Sequence, residues 1–403
     1  VKGALVIGAG PAGLMAAEEI ARSGHPVTVA EAMPTPARKF LMAGKSGLNL
    51  TKDEPPEAFA RHLMLGTGGY APPDPAGYFY QNESAFGPAE VMEWAQGLGI
   101  SLFTGSTGRV FPVGMKASPL LRAWLARLRG MGVELRTRWR WQGFEGDALN
   151  FDTPEGRQLL RPEVTVLALG GASWPRLGSD AAWLPWLAAK GVTIAELKPA
   201  NMGLRVDWSD AMAQYFGQPV KGTALHAGGQ SSRGEWVISK SGMEGGGIYA
   251  LSAALRDGAE ATLDLAPDMD AEAVQARFTK PRGKLSMGNW LRRAVGDPVK
   301  VALLLEWGKP FPDDPAGWAG RMKTLPIHHR GPMGLERAIS SAGGIRLDAL
   351  TENLELRALP GIFAAGEMLD WEAATGGYLL THSLGTGRWA GRAAADYLAS
   401  ARL

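Results

Sequence analysis

Six residues near the start of the chain, Gly8-Ala9-Gly10-Pro11-Ala12-Gly13, have the spacing of a backbone cradle for a pyrophosphate, and Glu31 stands where such a motif needs an acid. Each glycine has its own task. Gly8 permits the tight turn, Gly10 lets a phosphate approach the backbone, and Gly13 lets a helix pack closely on the strands. The helix that follows presents free N–H groups and a positive dipole end to phosphate oxygens. A carboxylate at Glu31 accepts hydrogen bonds from ribose hydroxyls, and its charge disfavours a 2′-phosphate. A Gly-rich loop without ligand is the bland alternative. The surrounding pattern argues against it, but by itself it does not separate a flavin from a nicotinamide dinucleotide.

The elements needed to hold these residues are legible. Ala4–Ile7 is an apolar, β-prone run, 14–23 has helical periodicity ended by Gly24, and Val27–Ala30 reads as the next strand. The chain's 403 residues predict two or three domains. No apolar run reaches the roughly 20 residues that span a bilayer, so no membrane insertion is expected; the start, residues 1–7, looks like a strand and lacks the plan of a signal peptide, and a cytoplasmic setting fits. The net charge of +2 gives no bulk attraction to nucleic acid, and no nucleic-acid partner is expected. The absence of cysteine removes disulfides, thiolate metal sites, Fe–S clusters and thiol redox pairs, so electron chemistry must come from a bound cofactor. His328 and His329 are neighbours whose side chains diverge on a strand, so no metal site is expected. Arg136–Trp141 mixes cations and aromatics, which suits single-stranded nucleic acid. Its period-two alternation favours instead a half-exposed strand with Arg on one face and Trp on the other.

Downstream motifs resemble those of the bacterial YhiN/BaiN-like flavoproteins over nearly the whole chain. Arg38-Lys39 through Ser46-Gly47-Leu48-Asn49-Leu50-Thr51 is similar to that family's "GRK…SGGGRCNVTN" segment. Gly108-Arg109-Val110-Phe111-Pro112 is similar to "GRVFP", and Leu167–Pro175 to "LATGGKSYP". Gly242–Ile248 corresponds to "GISGPAI" and is read as a tight turn shaping the substrate pocket. Gly361–Asp370 and Thr375–Tyr378 resemble "GLYFAGEVLD" and "TGGYN". The resemblance implies FAD. Glu367 in the Gly366-Glu367 turn would bond the ribityl hydroxyls. Gly376, Gly377, Tyr378, Leu379 and Thr381 would open a helix facing the flavin. Asn49 and Thr51 would lie near the ring, Gly170-Gly171 at the cleft, and the backbone near Trp141 at the adenine. Trp174 is either structural or part of the cleft wall. Arg38 or Lys39 would neutralise the diphosphate or a substrate carboxylate, unless both are solvated loop charge. The family's Arg-Cys pair is replaced by Gly47-Leu48, and Lys45-Ser46 stand in place of two glycines. The expected proton donors are therefore His382, Tyr378 or Lys45, with His382 preferred for its reference pKa and a packed histidine as the alternative.

The expected architecture is an α/β fold: a Rossmann-like FAD-binding domain, of the two-dinucleotide-binding-domain flavoprotein type, carrying an insert. Residues 1–194 and 338–403 would form the FAD-binding domain. Residues 195–337 would form the insert, β-rich over 195–265 and a helical cap over 266–337. The expected function is an FAD-dependent oxidoreductase acting on a small organic substrate. Reduction of an unsaturated carbonyl-type compound is implied, with NAD(P)H as a transient donor. The alternatives are a flavin dehydrogenase serving another acceptor, and a non-catalytic flavin sensor or RNA-associated factor.

Overall fold

The computed structural model describes residues 3–45, 47–66 and 86–401. They divide into two compact units: unit 1, formed by 1–198 and 340–403, and unit 2, formed by 199–339. Unit 1 is built on a five-stranded parallel sheet in the order Ile362–Ala364, Val164–Leu167, β1 (Ala4–Ile7), β2 (Val27–Glu31) and Glu134–Thr137. β1 is buried along its whole length, as a central parallel strand with both faces covered must be. Helix α1 (Pro11–Arg22) crosses between β1 and β2. A three-stranded antiparallel meander, Arg140–Glu145, Ala148–Thr153 and Gly156–Leu160, follows the sheet's far edge.

The segment expected as one alternating strand is two strands. Arg138 takes a left-handed conformation (φ +60°) that ends Glu134–Thr137 and starts Arg140–Glu145. Trp139 and Trp141, both beyond this break, keep different neighbours although both line the cleft described below. Trp139 is half-buried with the Arg136 guanidinium 4.6 Å from its ring centre. Trp141 is buried edge-on against Phe144 and Trp186.

The C-terminal helix, Tyr378–Ser400, packs along α1 through residues with almost no side chain. A Cβ on Gly387 would collide with the Ala12 carbonyl, and one on Gly391 with the backbone of Ala16. α1 also carries two charges inward. Glu18 is fully buried and accepts from Trp124 Nε1 at 2.7 Å, Arg127 at 3.1 Å and Arg22 at 2.6 Å. Glu19 accepts from Arg392 of the C-terminal helix at 2.8 Å. Each buried carboxylate is thus answered by donors, as desolvation demands.

Unit 2 has two four-stranded antiparallel sheets, and the helices Ala271–Arg277, Met287–Val295, Pro298–Trp307 and Pro315–Lys323 precede the last strand of the second, Leu325–Pro326. Asp270, Ser286, Asp297 and Asp314 cap the N-termini of these helices with their side chains. Gly242–Glu244 is a strand, and Gly245 (φ +117°) turns it into the short helix Gly246–Tyr249. A Cβ on Gly242 or Gly247 would strike the backbone of Leu204 or Gly234, so these glycines serve close packing inside unit 2. No helix among the described residues is long and apolar enough to cross a membrane.

Replacing Gly391 by Val should lower stability by about 1–3 kcal/mol, because the added atoms meet helix backbone and not a yielding side chain. Urea unfolding would measure this. A Gly391→Val protein as stable as the parent would show that the two helices separate freely.

Candidate functional site

The carboxyl ends of β1, β2, Val164–Leu167 and Ile362–Ala364 open onto a cleft within unit 1 that encloses about 830 Å³ including its mouth. Its floor is the glycine turn. Gly8 has φ +105° and donates its N–H to the Ala30 carbonyl at 2.8 Å. A Cβ on Gly8 would strike the Ala168 carbonyl, and one on Gly13 the Gly8 carbonyl. Gly10 is different: a Cβ there meets nothing within 4 Å and projects into open space. α1 begins at that point with no side-chain cap, so the first-turn N–H groups of Ala12 and Gly13 are available to an anion. Pro11 has no N–H to offer and fixes the first helical φ.

Glu31, at the end of β2, lines the same cleft. Its Oε2 accepts from Ala9 N–H at 2.9 Å and its Oε1 from Met33 N–H at 2.8 Å. Burial raises its pKa, against the lowering effect of those two N–H groups and of Arg140 and Arg38. The carboxylate is thereby held in one orientation with lone pairs left for hydroxyl donors. Arg38 opens helix α2 (Arg38–Ala43) and also lines the cleft. Its guanidinium reaches Thr35 Oγ1 at 3.3 Å, and its buried Nε has no partner among the described residues. Open space at Gly10, an uncapped helix start, an oriented acid and an unmet guanidinium N–H together fit a dinucleotide.

Lys39 is committed elsewhere. Its Nζ donates to Glu367 Oε2 and to Ser173 Oγ, both at 2.5 Å. Glu367 Oε1 also accepts from Ser341 N–H at 3.0 Å. The lysine expected to face a diphosphate is therefore neutralised by the acid expected to face a ribityl chain, and both enter the wall as one ion pair. The turns beside them are braced: Trp183 Nε1 donates to the Gly170 carbonyl at 2.9 Å, and Ser179 Oγ to that of Gly171 at 3.0 Å. Thr386 Oγ1 holds Gly366 N–H at 3.0 Å.

A second cluster surrounds the start of the C-terminal helix. Gly377 (φ +110°) lies against Thr51 so closely that a Cβ would sit 2.5 Å from its carbonyl carbon. Thr381 Oγ1 donates to Thr51 Oγ1 at 2.7 Å. Tyr378 is buried, donates to Glu54 Oε1 at 2.8 Å and accepts from Lys52 Nζ at 3.0 Å. Burial, then the Glu54 carboxylate, drives its pKa up, so the phenol stays protonated. The His62 ring stands 4.5 Å from the tyrosine ring, and its pKa is lowered chiefly by burial. The Arg109 side chain would lie 3.2 Å from a Cβ on Gly376. Asn49 Oδ1 is buried without a partner among the described residues.

Several expectations change. His382 is fully buried against Trp371, with ring centres 4.2 Å apart, and burial pushes its pKa down to about 3. Its ring is thus neutral and packed at ordinary pH, as the alternative reading of this histidine has it. Lys45 is exposed beyond the end of α2 and is not part of the cleft lining; Ser46 lies outside the described residues. Trp139 lines the cleft beside Trp141, while Trp174 does not line it and starts a short 3-10 turn with φ +62°. Gly171 and the second cluster (Asn49, Thr51, Gly376, Gly377, Tyr378, Leu379 and Thr381) also lie outside that lining, whereas Gly170, Gly366, Glu367 and Ser383 belong to it. His329 Nδ1 accepts from Gly331 N–H at 3.0 Å, and no cluster of three or more metal-ligating side chains occurs among the described residues. Sequence reasoning missed Lys52, Glu54, His62 and Trp139. Lys52 and Glu54 sit within three residues of Thr51, but only the tertiary fold shows that they meet Tyr378.

A family model described as "HI0933-like protein Rossmann domain" matches residues 2–393. The chain is 29% identical over 427 aligned positions to a 3-dehydro-bile acid delta(4,6)-reductase of Clostridium scindens, covering 97% of this chain and 98% of the relative. It is 23% identical to a ribosomal RNA dihydrouridine synthase of Escherichia coli, covering 93% of each. Among solved structures, an E. coli quinol fumarate reductase chain superimposes over 100% of this chain and 71% of its own, with a TM-score of 0.53 at 16% identity. That likeness is one of fold.

Gly10→Val should fold with near-parental stability, because its Cβ has room and its extended backbone suits a β-branched residue. It should nevertheless lose dinucleotide affinity by at least about tenfold, roughly 1.4 kcal/mol. Thermal melting and cofactor content after dialysis would check both halves; a fully loaded Gly10→Val protein would remove the cradle from the site. A second expectation concerns pH. The unfolded state binds a proton at His382 near pH 6.5, and the folded state only near 3. Stability should therefore fall with acidification through that window, by up to about 1.4 kcal/mol per pH unit from this one group. In His382→Gln that part of the slope should vanish from urea melts between about pH 4 and 6.5.

Proposed function

The chain belongs to the HI0933-like Rossmann flavoprotein family and is an FAD-dependent oxidoreductase, and from that premise we propose that it reduces a carbon–carbon double bond conjugated to a carbonyl, with NAD(P)H as donor. The observation that carries this reading is a pair of relatives, each aligned over at least 93% of the chain. One is named a delta(4,6)-reductase of a bile acid and the other a dihydrouridine synthase, and both names denote saturation of a ring double bond. Their substrates differ so widely that what they have in common is the reaction type.

When bound, FAD supplies hydride transfer. The chain's own part is to hold, orient and protonate. The N–H groups at the start of α1 take the pyrophosphate, Glu31 takes ribose hydroxyls, and Arg38 supplies the free cation. The Lys39–Glu367 pair would present polar atoms without net charge to the bound cofactor. Saturating a conjugated bond also needs one proton. Tyr378, in the second cluster beyond the cleft lining, is the candidate donor: its hydroxyl carries its proton at ordinary pH, and Lys52 Nζ at 3.0 Å is placed to return the proton it gives up.

The test is anaerobic. NADH or NADPH should bleach the flavin, and a conjugated enone should restore its colour in a second, separable step. Tyr378→Phe should leave the first step intact and slow the second by about 10²-fold or more. Failure of both nucleotides to reduce the flavin would sink the donor assignment. Reduced flavin that no enone reoxidises, but a quinone does, would replace the reading with a dehydrogenase.

A further inference from the structure

The net charge of the whole chain conceals a local imbalance in unit 2. From 273 to 296 the sequence contains Arg277, Lys280, Arg282, Lys284, Arg292 and Arg293 and no acid. All six cations are exposed. None is in an ion pair among the described residues, whereas Lys323, on the helix Pro315–Lys323, is bound to Asp264. The fold draws part of this set together. Arg293 donates to the carbonyls of Lys280 at 3.3 Å and Pro281 at 3.0 Å, and Trp290 Nε1 donates to that of Lys280 at 2.9 Å. Arg277 reaches the Ala294 carbonyl at 3.5 Å. These bonds lay Lys280 and Pro281 of the loop 278–286 against the helix Met287–Val295, so Arg277, Lys280 and Arg293 lie close together and Arg282, Lys284 and Arg292 follow in the same loop and helix.

We infer that this face binds the phosphate backbone of a nucleic acid. Six exposed cations outnumber the flanking acids, of which Asp270 and Asp297 cap helices and Asp268 pairs with Arg233, and the excess gives a local potential that attracts a polyanion and raises its encounter rate. Arginine, four of the six, matches phosphate with two parallel N–H donors. An acidic membrane is the poorer match. The apolar side chains of this segment, Phe278, Trp290 and Leu291, are buried in the unit's own core, and Leu285 at 37% exposure is its one exposed large apolar residue. Little is left to insert into a bilayer. The same burial leaves no aromatic platform on which bases could stack, so the face reads phosphates and not sequence. The inference rests on unit 2 alone and is independent of the proposed reduction.

The test uses the full, FAD-loaded chain, fluorescein-labelled RNA and DNA hairpins of equal length, and anisotropy across a salt series. Both hairpins should bind, and binding should weaken steeply and linearly on a log–log plot as salt rises. The triple substitution Lys280→Gln, Arg282→Gln, Lys284→Gln should weaken binding at least about tenfold and reduce the slope by about 2–3. Flavin content and melting temperature should not change, since these side chains bear on the loop's surface only. The single Lys284→Gln should show a smaller shift in the same direction if the triple variant folds poorly. Salt-independent or absent binding of both hairpins by the parent would overturn the inference. So would unchanged binding by the substituted chains, or tighter binding to phosphatidylserine vesicles than to either hairpin. Enone reduction, measured separately, moves with neither result.

Discussion

The arrangement of unit 1 depends on two helices being able to touch backbone to backbone. Ala12 and Ala16 on α1 meet Gly387 and Gly391 on the C-terminal helix, and a single methyl at either glycine would push the helices apart. α1 carries the uncapped N–H groups beneath the cleft, and the C-terminal helix carries Thr386, which holds the Gly366 turn. Gly366 itself has room for no side chain beside Ala12. Small residues thus fix the distance between the phosphate end of the cleft and the Gly366-Glu367 wall. The packing enforces this spacing because close-packed interiors yield little.

Electrostatics follow the same frame. Burying Glu18 and Glu19 on α1 would be costly alone, and the two are answered by donors from Trp124, Arg127 and Arg392. These bonds tie α1 to two other helices. Inside the cleft the logic is reversed, since Glu31 is left with spare acceptor capacity and Arg38 with a spare donor. The acids of α1 are well supplied with donors, whereas Glu31 and Arg38 in the cleft are only partly satisfied. That contrast separates scaffold from site more sharply than residue type does.

Much of this was legible in the sequence. The strand–turn–helix–strand pattern of residues 4–31 announces itself, because each glycine has a local steric reason and the acid ends a recognisable strand. The Rossmann character and FAD followed from that together with the later motifs. What sequence could not show were the pairings made at long range. Lys39 and Glu367, separated by 328 positions, each carried a separate expectation as a cofactor contact, and only the fold makes them partners. His382 drew attention for its solution pKa, whereas burial decides its actual one. One left-handed residue, Arg138, broke the expected strand in two and brought Trp139 as well as Trp141 to the cleft.

The Lys39–Glu367 bridge and the α1 contact have a consequence for biogenesis. The edge strand Ile362–Ala364, the Gly366 turn and the C-terminal helix all leave the ribosome long after the glycine turn and Glu31. Until they emerge, the small-residue face of α1 is bare and one wall of the cradle is missing. The early half of the site has nothing to close against. The cleft's wall is complete only once those late elements are made.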